Sequence, residues 1–129
     1  MDEGIIIKLK ERMVSFGKAI KALKKGKRVK RKTWNGVGLF VFMQVSADIS
    51  MEIVPIMQSL PQSVKDEFIR RQSENKMPES FITENGLTTK RQDHIYYRNQ
   101  LAMVYPDNKI YGWVASPTDV LMEDWIILD

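Results

Sequence analysis

The chain contains no cysteine, which excludes disulfides, thiolate metal sites and a cysteine nucleophile together and fits a reducing compartment. Histidine occurs once, at position 94, so the side chain most used for proton transfer near neutral pH is almost missing. No apolar run approaches the roughly 20 residues that cross a bilayer. Residues 1–14 come nearest to a leader, yet Asp2, Glu3 and Glu11 interrupt them and no small-residue cleavage site follows, which argues against a secretory signal. A glycine-rich phosphate loop is absent, and Ser116 sits in no nucleophile-elbow motif. The composition therefore points to a cytoplasmic binding protein without a cofactor and away from an enzyme.

Acidic residues are also missing from positions 18–32, and what fills that stretch is basic. Lys18, Lys21, Lys24, Lys25, Lys27, Arg28, Lys30, Arg31 and Lys32 place nine of the chain's twenty Lys and Arg residues in fifteen positions. Such a block concentrates anions and points to phosphate-bearing partners. A solvated helix face and strand edge kept soluble by lysine would look the same.

The length fits one domain. Within it, 15–26 reads as a short amphipathic helix: Ser15 can cap it, and Phe16, Ala19, Ile20 and Leu23 recur at i, i+3, i+4 and i+7. Gly26 supplies the stop. Strands are expected at 28–32, 37–45, 95–105, 110–115 and 125–128, with an Asn-Gly turn after Trp34. In the second of these, Leu39, Val41 and Met43 alternate with Phe40 and Phe42, so both faces are apolar and the strand should be covered on both sides, the second cover being another subunit. Residues 61–72 form a further helix with Val64, Phe68 and Ile69 as inward candidates. Ser116, Pro117 and Asp119 spell a capping box for a short helix running to about 123. The expected architecture is α+β: an antiparallel sheet of four to five strands, an N-terminal amphipathic helix, an inserted helix, and a short helix before the last strand. Residues 1–14 are an extension of this single domain (1–129). Residues 46–92 are a variable insertion with too few apolar residues for a core of their own.

Chemistry has few candidates. His94 lies at a strand start without an evident relay partner. Asp119, Glu123 and Asp124 could hold Mg²⁺ or Ca²⁺ as bare carboxylates, but Asp119 is already explained as a helix-capping acid. Aromatic residues beside polar and basic ones remain. Trp34 follows five basic residues in six positions, Trp113 precedes the capping sequence, and Trp125 follows Asp124. An aromatic face stacks on a base, arginine pairs with phosphate, and Asn or Asp reads a base edge or ribose hydroxyl. Core packing is the competing account of all three tryptophans, and for Trp125, inside Asp-Trp-Ile-Ile-Leu, it is the favoured one.

The order of these blocks carries a resemblance. Phe16-Gly17, the run Ala19 to Arg31 and Trp34-Asn35-Gly36 resemble the opening of a phage family, the second type of Thoeris anti-defence protein. Trp113-Val114-Ala115-Ser116, Thr118-Asp119, Leu121 and Asp124-Trp125 resemble its ending. The matching blocks cover about half of the chain. Segment 46–92 is longer than in many members, and Pro117 stands where glutamine is expected. The resemblance implies a homo-oligomer, a tetramer, that binds cyclic ADP-ribose isomers made by bacterial TIR-domain sensors and holds them uncleaved in the host bacterial cytoplasm. Some relatives also take up cyclic dinucleotides at a separate site. Carried over by position, Trp34, Asn35, Ser116, Thr118 and Asp119 become pocket candidates, with Arg28 and Arg31 as phosphate partners. Two alternatives stay open on sequence alone: a basic nucleic-acid-binding accessory protein, whose affinity would fall steeply with salt, and a hydrolase of such signals, which would release altered product.

Overall fold

A computed structural model of the chain describes residues 12–34, 38–74 and 93–128. In chain order the elements are β1 (Met13–Val14), α1 (Phe16–Lys24), β2 (Arg28–Arg31), β3 (Phe40–Gln44), β4 (Ala47–Ser50), a 3₁₀ turn (Val54–Ile56), α2 (Gln62–Glu74), β5 (His94–Tyr97), β6 (Gln100–Val104), β7 (Ile110–Gly112), α3 (Pro117–Leu121) and β8 (Trp125–Leu128). They divide between two compact units, Met1–Val45 with Asn99–Asp129, and Ser46–Arg98. The fold is α+β, with the antiparallel sheet expected from the strand pattern.

The first unit is a six-stranded sheet in the order β1-β8-β2-β3-β6-β7, with helix α1 packed on one face. Ser15 starts that helix by accepting a hydrogen bond from the Lys18 amide at 3.3 Å. At the other end Gly26 adopts φ +87°, the left-handed conformation that other residues resist. Lys27 N–H then reaches Ala22 O at 3.0 Å and Gly26 N–H reaches Leu23 O at 2.9 Å, the double bond of a Schellman stop. Ala19, Ala22 and Leu23 are buried against Val29, Val41 and Trp125. The two alanines let the helix lie close to the sheet.

Register assigns the faces. Val29 pairs with Val41 and Ile127, Val41 with Met103, and Met43 with Leu101, so this set looks toward α1. Phe40 and Phe42, paired with Val104 and Ala102, look the other way, as their alternation with Val41 and Met43 predicts. The sheet has one strand more than expected because β1, only two residues long, is too short to show a period in sequence. The long strand expected at 95–105 is two strands. The strand is interrupted at Arg98 and Asn99: β5 pairs with β4 in a separate two-stranded sheet, and β6 joins the main one.

The second unit has its own small apolar cluster. Met51, Val54 and Ile95 are buried, with Ile49, Met57, Leu60, Phe68 and Tyr97 packed on them. Ile95 and Tyr97 come from β5, outside the segment judged too poor in apolar residues. Phe68 of α2 faces inward as expected, but Val64 and Ile69 are exposed. The buried position goes instead to Lys65, whose aliphatic stem can cover apolar surface while Nζ donates to Pro55 O at 3.0 Å. Residues 75–92 of the expected insertion lie outside the described residues. Among the described residues no helix is long and apolar enough to cross a membrane.

Candidate functional site

Strand β2 ends at Arg31, opposite Trp125 in the register of β8. Its guanidinium is held by two carboxylates. Nε and Nη2 donate to Asp124 Oδ1 and Oδ2 at 3.0 and 3.2 Å, and Nη1 donates to Asp119 Oδ1 at 3.0 Å. All three side chains are nearly buried. Pairing with Asp124 first, and with Asp119, raises the Arg31 pKa further above its ordinary value.

Asp119 belongs to helix α3, and its position follows from the capping box. Ser116 Oγ accepts the Asp119 amide at 3.0 Å, and Asp119 Oδ2 accepts the Ser116 amide at 2.9 Å. Burial pushes the Asp119 carboxyl upward, but the Ser116 amide, the Arg31 guanidinium and the Ser116 hydroxyl outweigh it and hold the group below its ordinary value. The Asp119 carbonyl in turn accepts Trp125 Nε1–H at 2.9 Å. One arginine thus joins the end of β2, the start of β8 and the first turn of α3.

Beside this network lies an aromatic cluster. Trp125 is fully buried, so core packing is its role. Phe16, Trp34 and Trp113 surround it at centroid distances of 5.4, 5.4 and 5.9 Å. Trp34 and Trp113 meet edge-on at 6.2 Å, an arrangement that ring quadrupoles favour. Trp34 is half-buried, fixed by its amide to Arg31 O at 3.1 Å, and retains surface that a stacked ring can use. An open groove of about 410 Å³ is lined by Met13, Val14, Ser15, Lys18 and Glu123, the last of these adjacent to Asp124.

Four of the positions carried over from the family pattern therefore converge: Arg31, Trp34, Ser116 and Asp119. Thr118 is exposed on the first turn of α3. Arg28 lies elsewhere. Three residues before Arg31 in the same strand, it projects from the opposite sheet face, where its guanidinium carbon sits 5.0 Å from the Phe40 ring centroid. Strand alternation would have separated the two arginines from sequence alone. Asn35 lies outside the described residues. Asp124 and Trp113 belong to the cluster too, although neither was among the positions carried over from the family pattern. The usable signal was a second buried-type carboxylate beside Trp125 facing a strand arginine. His94 belongs to the second unit, with Nδ1 3.1 Å from Asp93 Oδ1. Among the described residues no group of three or more His, Asp or Glu side chains forms a metal site.

Comparison with known proteins bears on this arrangement. Residues 14–128 match the family described as the Thoeris anti-defense 2-like domain, a span that includes every residue of the arginine–carboxylate network and the aromatic cluster. The chain is also similar to a protein of Bacillus phage SP01 named Thoeris anti-defense 2. The two are 31% identical over 115 residues, covering 89% of this chain and 94% of that protein.

Proposed function

The chain belongs to the Thoeris anti-defense 2-like family, and from that premise we propose that it acts against Thoeris defence by sequestration. It binds cyclic ADP-ribose isomer signals in the host bacterial cytoplasm and holds them unaltered, so that the downstream effector stays off. Cyclic dinucleotides are a second ligand class on the same reading. The observation that carries the proposal is the family match across 14–128. The geometry is compatible with it: Trp34 is half-buried and packs edge-on against buried Trp125, which leaves it surface for a stacked base. Ser116, Thr118 and Asp119 bring hydroxyls and a carboxylate to the same end of the sheet, where ribose hydroxyls need partners. The open groove between β1 and Glu123 falls in the size range of small-molecule sites.

The proposal includes a homo-oligomer, a tetramer. Support comes from Phe40 and Phe42 on the sheet face away from α1, and from edge strand β7, where Ile110 and Tyr111 are exposed. Exposed apolar strand surface of this kind commonly marks a subunit contact.

Sequestration and turnover differ in what leaves the protein. The protein is incubated with a cyclic ADP-ribose isomer, freed of unbound ligand by filtration, and heat-denatured. The released molecule should match the input by mass and chromatography and reactivate the effector. Linear ADP-ribose or nucleoside monophosphate in excess over protein would show catalysis and overturn the proposal.

A further inference from the structure

The guanidinium best placed in sequence to meet a phosphate is already committed. Three Arg31 nitrogens bond two carboxylates, so Arg31, Asp119 and Asp124 together carry one net negative charge. Such a trio repels an anionic ligand unless nearby cations outweigh it. Helix α1 provides them. Its inner residues Ala19, Ala22 and Leu23 are buried, while Lys18, Lys21 and Lys24 are exposed and Lys25 follows them at the cap. These four form no ion pair with a carboxylate among the described residues. The helix packs against β2, β8 and α3, the elements that carry or adjoin the trio. Its outer face therefore stands at least about one helix diameter, roughly 10 Å, from the trio, nearest at the first turn because Val14 and Arg31 both pair with Trp125. The Debye length is about 8 Å at physiological ionic strength and about 30 Å at 0.01 M salt, so the field of the whole face reaches the site at low salt and that of the first turn dominates at physiological salt. Lys18 also lines the open groove with Glu123.

We propose that the lysine face of α1, formed by Lys18, Lys21, Lys24 and Lys25, is a collecting surface that steers the phosphate-bearing ligand to the site and sets its rate of capture. The inference rests on the sequestration reading and adds a kinetic requirement to it. A stoichiometric binder must intercept each signal molecule before the effector does, so its association rate matters as much as its affinity. Long-range attraction acts on association, whereas short contacts act on dissociation.

The test compares stopped-flow association and dissociation of a cyclic ADP-ribose isomer for wild type and the threefold variant Lys21→Gln, Lys24→Gln, Lys25→Gln, which leaves the groove-lining Lys18 in place. Glutamine keeps helix propensity and removes the charge. At low ionic strength the variant should associate about tenfold more slowly, with the gap closing as salt is added and dissociation unchanged. The pair Lys24→Glu and Lys25→Glu, at the helix end, should slow association in the same direction and provides a second readout if the threefold variant folds poorly. Equal association rates, or a change confined to dissociation, would overturn the proposal; the second outcome would make the lysines direct contacts. Retention of a DNA duplex by wild type at physiological salt, lost in the variant, would assign the face to nucleic acid instead. Failure of wild type to bind any isomer is a different result, because it removes the sequestration reading itself.

Discussion

Arg31 and Asp124, 93 positions apart in the chain, meet as a two-point fork, Nε to Oδ1 at 3.0 Å and Nη2 to Oδ2 at 3.2 Å. The remaining guanidinium arm reaches Asp119, and the backbone closes the same corner through Lys32 N–H to Asp124 O at 2.9 Å. A planar fork suits this task because its donors match two carboxylates without strain. Through Asp119 the network also fixes the α3 turn that presents Ser116 and Thr118, so Arg31 is a positioning residue for the proposed site.

Replacing Arg31 by Met should show how much this corner contributes. Two nearly buried carboxylates would lose their shared cation, and breaking such a pair from one side costs about 3 kcal/mol or more. Thermal unfolding should drop by about 10 °C. A double-mutant cycle with Asp124→Asn should recover part of the loss, since one unpaired charge is then removed. Additive losses would mean that the fork is not coupled in solution.

Much of this fold was legible because its signals are local. The α1 periodicity, Gly26 and the Ser116–Asp119 capping box each act within a few residues, and all appear where expected. The break at Arg98 and Asn99 was hidden because 95–105 reads as one long strand in spite of its polar middle; only pairing of the first half with β4 splits it, and that is a long-range event. Lys65 misled for a related reason, since burial of its stem depends on Pro55 O being in reach. At the site, residue types were readable and their commitments were not. An arginine in a basic run looks free until Asp119 and Asp124 arrive from 88 and 93 positions away.

The tryptophans should separate by role. Trp125→Ala removes a fully buried ring and its hydrogen bond to Asp119 O, and should destabilise the fold by about 3–5 kcal/mol. Trp34→Ala should leave a folded protein and weaken cyclic ADP-ribose isomer binding by about 1–3 kcal/mol, the range for base–aromatic stacking. Calorimetric titration beside thermal melts checks both. Unfolding or aggregation of the Trp34 variant would make Trp34 core and withdraw its binding role.

Acid should loosen the Asp119 corner in a defined direction. The carboxyl's pKa is lowered in the folded protein, while the unfolded chain keeps the ordinary value. Its contribution is therefore complete above that ordinary value and is lost as pH falls through the lower, folded one. Urea midpoints measured from about pH 6 down to about pH 2 should fall more steeply in wild type than in Asp119→Asn. Glu67 of α2, held at about 2 chiefly by its hydrogen bonds with Arg70, titrates in both proteins and cancels from the comparison. Parallel acid profiles would show that Asp119 contributes nothing through its charge.

Assembly can be tested from the sheet face that α1 leaves aside. Phe40 and Phe42 stand there with ring centroids 6.5 Å apart, both half-buried, and the Arg28 guanidinium lies against Phe40. Ala102, the register partner of Phe42 on the neighbouring strand, is buried. If that surface is a subunit contact, light scattering after size exclusion should give a mass at least twice the 15.0 kDa of one chain. Phe42→Glu places a charge where the partner's apolar surface would have to desolvate it, which a contact without a matching cation cannot tolerate. The variant should therefore dissociate to the monomer while its far-ultraviolet circular dichroism stays that of wild type, because Phe42 lies outside the cluster packed beneath α1. A wild-type protein that is monomeric and still binds ligand would refute both the contact and any pocket shared between subunits. An oligomer that survives Phe42→Glu would move the contact to another surface, with the exposed edge at Ile110 and Tyr111 the next to be charged.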